Sequence, residues 1–282
     1  MPDAQRPTIR SRRLGMQLRT LREQRGLTLK AAARLLNRTP SAISKLETGH
    51  RGIYRPSLEN MLDRYEVTDA ELRESLFALA RESGKKGWWH RYEGTLSPAI
   101  LDYISLETNA TDIWTFQLHL IPGLLQIEPY AHAVITSGIS LGKPPDVDGL
   151  LAVRMRRQQI LTGPDAPRLW AIVSEAALRQ QVGGAETMRA QLRRLIEVSE
   201  QANVTLQVLP FSAGAHPSVN GSFTILATND LSVVLVENLT TAWYLEHDDD
   251  IQRYDRVFDH LRATALSTSD SQSKINRIAS AP

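Results

Sequence analysis

The segment Thr39-Pro-Ser-Ala-Ile-Ser-Lys45 carries polar groups suited to chemistry on a nucleic acid. Read as a helix, it has Thr39 as its N-cap and Pro40 at the first position, where a missing N–H costs nothing. Ile43 and Leu46, spaced i and i+3, then point inward, which leaves Ser41, Ser44 and Lys45 facing out. Short hydroxyl side chains near a helix N-terminus let the backbone approach base edges, and a lysine one turn further on reaches a guanine edge or a phosphate. Arg38 precedes this segment, and Arg51 and Arg55 follow it in the loop after Gly49, where contacts to phosphates orient a protein without specifying sequence.

Charge is distributed to suit that chemistry. Residues 1–65 hold 14 Lys and Arg against 5 Asp and Glu, a net +9, and the remainder holds 19 against 26, a net −7, so the overall +2 conceals a basic module tied to an acidic body. Each phosphate neutralised by such a module releases counterions, which drives binding to a polyanion. At 42% apolar and 23% charged residues, the 282-residue chain has the composition of a folded protein and the length of two domains. The absence of cysteine excludes disulfides and thiolate sites. Without an apolar run of about 18 residues or a signal-peptide pattern, the expected location is the cytoplasm, with no membrane association.

The elements that must position the polar helix can be read around it. Leu14, Leu18 and Leu21 mark a first helix that stops near Gly26. Thr28 caps a second, over Lys30–Leu36, with small Ala33 at the helix crossing and Asn37 at a sharp turn that calls for left-handed backbone. Leu58, Leu62 and Tyr65 mark a fourth helix after Pro56 and Ser57, and Leu72, Leu76 and Leu79 a fifth after Thr68. Glu47, an acid beside a surface meant for phosphates, is expected to pair internally with a first-helix arginine such as Arg22.

Residues Thr28–Gly49 resemble the Xre, or lambda-repressor-like, helix-turn-helix family, on the small Ala33, the inward Ile43 and the Ile-Ser-Lys-Leu-Glu-x-Gly ending at Gly49. The resemblance implies an all-α, five-helix DNA-binding domain over residues 10–82. It also implies base contacts at Ser41, Ser44 and Lys45, with Pro40 beside them and Thr39 near a phosphate. Leu29 stands where the family often has a glutamine that clamps a phosphate, which leaves Thr28 or Lys30 to do so, and Asn37 stands where glycine is common.

Beyond Ser83-Gly-Lys-Lys-Gly87, a second domain is expected over residues 88–280, opening on Trp88-Trp89. Its pattern is mixed α/β. Helices are expected at 98–112, near Pro129, and at 147–161, 185–202 and 250–266, and strands at 114–120, 168–174, 204–209, 222–228 and 232–237. The whole is thus an α+β, two-domain chain. The blocks Leu106-Glu-x-x-Ala110, Ile121-Pro-Gly-Leu-Leu-Gln126, Arg154-Met-x-Arg-Gln158, Ser174-Glu-Ala-Ala-Leu178 and Val208-Leu-Pro-Phe211 resemble a C-terminal domain of unknown function carried by actinobacterial Xre-type regulators. That resemblance implies regulators, often encoded beside small proteins that could be direct partners.

Glu107, Arg154, Arg157, Glu175 and His216 are polar residues set in apolar motifs, and buried charges must be paired or functional. Three readings are open: an internal arginine–carboxylate network that fixes the fold, a ligand or partner site, and catalysis. The first is expected, and no catalytic residue, cofactor or metal is assigned. The acids of His247-Asp-Asp-Asp250 read as charge complements of a helix start. The expected function is sequence-specific regulation of transcription on double-stranded DNA by a homodimer. Its C-terminal domain is expected to take a small-molecule effector or a small protein partner; the alternative is the DNA-binding member of a toxin–antitoxin-like pair.

Overall fold

A computed structural model describes residues 7–83, 87–92, 94, 96–137, 146–229, 231–237 and 242–280. The chain divides into two compact units, with the boundary between His90 and Arg91.

The described residues of the first unit form five α-helices, α1 (Ile9–Gln24), α2 (Leu29–Leu35), α3 (Pro40–Glu47), α4 (Arg55–Arg64) and α5 (Ala70–Ser83), with a 3-10 turn at Trp88–Tyr92 crossing the boundary. Three starts are capped alike: the hydroxyls of Thr8, Thr28 and Thr39 accept the N–H groups of Ser11, Ala31 and Ala42. The ends of α1, α2 and α4 also share one device. Gly26, Asn37 and Glu66 take positive φ, and the next residue donates back across the turn: Leu27 to Arg22 O, Arg38 to Ala33 O and Val67 to Leu62 O, at 2.8–3.1 Å. Asn37, at φ 51°, is therefore the left-handed pivot between α2 and α3. Helix α4 begins at Arg55, before the proline, so Arg55 belongs to its first turn rather than to the loop.

Helix α3 is seated where α1 has no side chain. A Cβ on Gly15 would meet the backbone carbonyl of Glu47, and one on Gly49 would stand 2.8 Å from the Arg12 nitrogen. Ala32 and Ala33, at 0% and 2% exposure, allow the matching close approach of α2 to α3. Ile43 and Leu46 of α3 are buried, as are Leu14 and Leu18 of α1 and Leu58 and Leu62 of α4.

The second unit is built on a sheet ordered β3-β2-β1-β4-β5-β6 among the described residues, from β1 (Ala110–Gln117), β2 (Arg168–Ser174), β3 (Val204–Leu209), β4 (Phe223–Thr228), β5 (Ser232–Glu237) and β6 (Ala242–Leu245). Strands β1, β2 and β3 run parallel, and the β1–β4, β4–β5 and β5–β6 pairs are antiparallel. The helices are α6 (Pro98–Thr108), α7 (Glu128–Ser137), α8 (Val147–Arg157), α9 (Glu175–Arg179), α10 (Ala185–Ser199), α11 (Asp248–Thr264) and α12 (Thr268–Ala279). The α11 residues Ile251, Phe258 and Leu261 pack on Phe116, Ile172, Phe223, Ile225 and Val234. The β3 edge is closed from the chain's end: Leu266 N–H bonds Val208 O at 2.9 Å, Ser271 Oγ accepts Val208 N–H at 2.9 Å, and Gln207 Nε2 reaches Leu266 O at 2.8 Å.

Several elements differ from the sequence reading. Helix α6 stops at Thr108, because the Asn109 side chain turns back onto Ser105 O, and β1 starts at Ala110 and ends at Gln117. The helix from Val147 tightens into a 3-10 turn at Gln158–Leu161. Helices α9 and α12 and strand β6 are additions.

Candidate nucleic-acid interface and the polar centres of the C-terminal unit

Along α3 the two faces separate as the spacing requires. Ser41 and Lys45 are exposed, Ser44 is half-buried at the flank, and Pro40 and Thr39 are exposed at the start. The Thr28 and Thr39 hydroxyls accept capping N–H groups and so keep a proton to donate to a phosphate oxygen. Lys30 and Arg51 are exposed and Arg38 half-buried. Arg55 is occupied otherwise: it lies 4.5 Å over the Phe77 ring and 3.5 Å from Glu74, so reaching a phosphate requires leaving α5. Tyr54, 86% exposed between Arg51 and Arg55, is a candidate contact absent from the sequence reading; an aromatic in a short loop after the polar helix was the available signal. Leu29, 36% exposed at the head of α2, confirms that an apolar side chain fills that surface position.

The orientation of α3 is fixed by the ion pair expected for Glu47. Arg22 Nε and Nη2 donate to Glu47 Oε1 and Oε2 at 2.6 and 3.0 Å in a buried pair, and Nη1 donates to Leu27 O at 2.6 Å. The hydrogen bond to Glu47 holds the guanidinium above its ordinary pKa against the opposing effect of burial. The pair removes a negative charge from the surface and ties the end of α3 to the end of α1. Buried beside it, the Tyr65 hydroxyl is pushed up to about 12, by burial first and then by the Glu47 charge.

Helix-turn-helix architecture and a flanking positive module are therefore both in place, and family comparison agrees. A family model described as a helix-turn-helix domain matches residues 13–76. A second, described as a domain of unknown function (DUF5753), matches residues 100–277. The chain belongs to the DUF5753 family. No curated protein and no solved structure gives a match. The first unit is a helix-turn-helix DNA-binding domain, which makes the chain a helix-turn-helix regulator with DNA as partner. Among the described residues no helix is long and apolar enough to cross a membrane.

In the DUF5753 unit the five polar residues separate into three places. Glu107, 1% exposed, receives Arg157 Nε on Oε2 and Nη2 on Oε1, both at 2.7 Å, and the guanidinium stacks 4.8 Å over Tyr103. Burial alone would weaken the Arg157 proton, but the Glu107 charge and hydrogen bonds more than reverse this and hold its pKa above the ordinary value. Arg154, one turn earlier, donates from Nη1 to Gln126 Oε1 at 3.1 Å. Gln126, Gln158 and Gln191 bind the backbone of the Ile121–Ile127 segment, and Tyr130 OH accepts Ile121 N–H.

Glu175 lies elsewhere, under Arg179 at 2.8 Å and Lys274 of α12 at 2.7 Å, and accepts Phe211 N–H at 3.2 Å. Burial raises its pKa, but Lys274 and these other donors outweigh it and hold the carboxyl low. His216 packs edge-on to Phe116, 5.3 Å between centroids, and burial followed by the nearby His260 lowers its pKa. Its buried Nδ1 has no hydrogen-bond partner among the described residues. Asp248, Asp249 and Asp250 form the first turn of α11, where acids complement the helix dipole.

Proposed function

We propose that this chain is a sequence-specific transcriptional regulator of the Xre, lambda-repressor-like kind. It works in the cytoplasm as a homodimer and inserts α3 into the major groove, and its C-terminal unit takes an effector or a small protein partner. The observation that carries the reading is the division of α3: Ser41, Ser44 and Lys45 at or near the surface, opposite Ile43 and Leu46, with Glu47 locked to Arg22. A homodimer is favoured because one module of this size buries too little surface for operator-level affinity, and two-fold pairs read half-sites one helical turn apart. The C-terminal unit is read as non-catalytic. Glu107, Glu175 and His216 share no hydrogen bond or ion pair, and both carboxylates are engaged by basic side chains.

The test uses an operator selected from random DNA. Ser44→Ala with Lys45→Ala is expected to weaken binding to it by roughly 30-fold, about 2 kcal/mol for two lost base contacts, while leaving affinity for unrelated DNA nearly unchanged. Arg51→Ala should instead weaken both DNAs and reduce the salt slope by about 1. Mobility shifts at fixed salt decide the matter, and an undiminished affinity of the double variant for the operator would overturn the reading.

A further inference from the structure

Two arginines on one face of α8 are held in contrasting ways. Arg157 presents its Nε/Nη2 edge to Glu107 and satisfies both carboxylate oxygens. Arg154, at i−3, is fixed from the opposite side. Its Nη1 is bound to Gln126 Oε1, and Gln126, 4% exposed, has no freedom to turn, since its Nε2 is committed to Ile121 O at 2.8 Å. The Nε/Nη2 edge of Arg154 is thereby aimed but makes no hydrogen bond or ion pair among the described residues. The residue as a whole is half-buried.

Two carboxylates lie within electrostatic range. Glu107 is taken by Arg157, and Glu237, exposed at the end of β5, forms no ion pair with Arg154. Burial and the neighbouring Arg157 charge both work against the Arg154 cation, so the fold maintains it at a cost. A guanidinium held by a rigid neutral acceptor, with its two-donor edge unmatched among the described residues, is suited in geometry to a planar carboxylate.

We propose that Arg154 is a carboxylate-recognition site, which binds an acidic group of the effector or partner through Nε and Nη2, as Arg157 binds Glu107. This rests on the reading of the C-terminal unit as the effector or partner module and supplies the chemical class that it selects. Gln126 is the positioning residue, and Glu237 is a competitor whose charge weakens binding.

The full-length protein is titrated with citrate, as a free carboxylate, and separately with hexaglutamate, as an acidic peptide, at constant ionic strength. Melting of the C-terminal unit is followed for the wild type, Arg154→Gln and the surface control Arg189→Gln. At ten times its dissociation constant either probe should raise the wild-type and Arg189→Gln midpoints by about 3–5 °C. It should leave Arg154→Gln unmoved, and Glu237→Gln should respond at lower concentration.

Without a probe, Arg154→Gln should melt no lower than wild type, since it relieves an unpaired cation. A citrate response assigns the site to a small molecule, and a response to hexaglutamate alone assigns it to an acidic segment of a partner. No difference between wild type and Arg154→Gln with either probe, or a large fall in the probe-free midpoint of Arg154→Gln, overturns the site. If the difference is found but operator affinity does not change with the probe, the carboxylate site stands and the effector reading falls.

Discussion

Glu47→Ala is expected to melt the helix-turn-helix unit well below the C-terminal unit and to abolish DNA binding without touching a DNA-facing residue. The substitution leaves Arg22 in place, 6% exposed, with Leu27 O and the more exposed Glu23 as its remaining acceptors. Removing one partner of a buried ion pair costs about 3–5 kcal/mol. Small domains hold only about 5–15 kcal/mol in total, so the loss takes a large share. At about 4–8 °C per kcal/mol for a domain of this size, the lower calorimetric transition of the full-length protein should fall by more than 12 °C. The pair carries orientation rather than intrinsic stability, so Arg22→Met with Glu47→Leu should restore most of the lost melting temperature. A fall below about 3 °C in Glu47→Ala would show that the pair does not hold α3.

That pair was legible in the sequence because the helix-turn-helix unit is specified locally. The threonine caps, the proline of α3, Asn37 at the turn and the apolar spacing each name their own structural role within a few residues. An acid on a surface meant for phosphates then required a cation, which an arginine of α1 could supply. What stayed hidden there was Arg55. Its stacking on Phe77 joins α4 to α5, and a basic residue near a presumed DNA surface reads the same way whether it meets a phosphate or a ring.

In the C-terminal unit the apolar strands and long amphipathic helices were readable, but pairings of charged residues were not. Glu107 and Arg157 are 50 positions apart, and Glu175 finds Lys274 on α12. Helix α12 is amphipathic but poor in apolar side chains: Ile275 is the one large apolar residue that it buries, and its contact with β3 runs through Ser271, a hydroxyl at 0% exposure that accepts Val208 N–H. A helix docked through a buried serine looks like a polar tail in sequence. The five polar residues are all buried or half-buried, and their separation into three places required the fold.

The larger of those centres gives the second strong prediction. Glu107→Ala removes both acceptors of Arg157 while its ring contact with Tyr103 remains, and an aromatic face replaces only part of a carboxylate. The cost is again about 3–5 kcal/mol, but a unit of this size loses only about 2–4 °C per kcal/mol, so the upper transition should drop by about 10 °C. Arg157→Ala should cost as much, because it strands the carboxylate of Glu107, which is 1% exposed. The two losses should not add: the double variant should melt close to the worse single one, a coupling that a thermodynamic cycle on the upper transition measures directly. Additive losses would mean that each residue is held by its surroundings rather than by the other. The α8–α6 link would then fail as the structural counterpart against which the open edge of Arg154 is recognised.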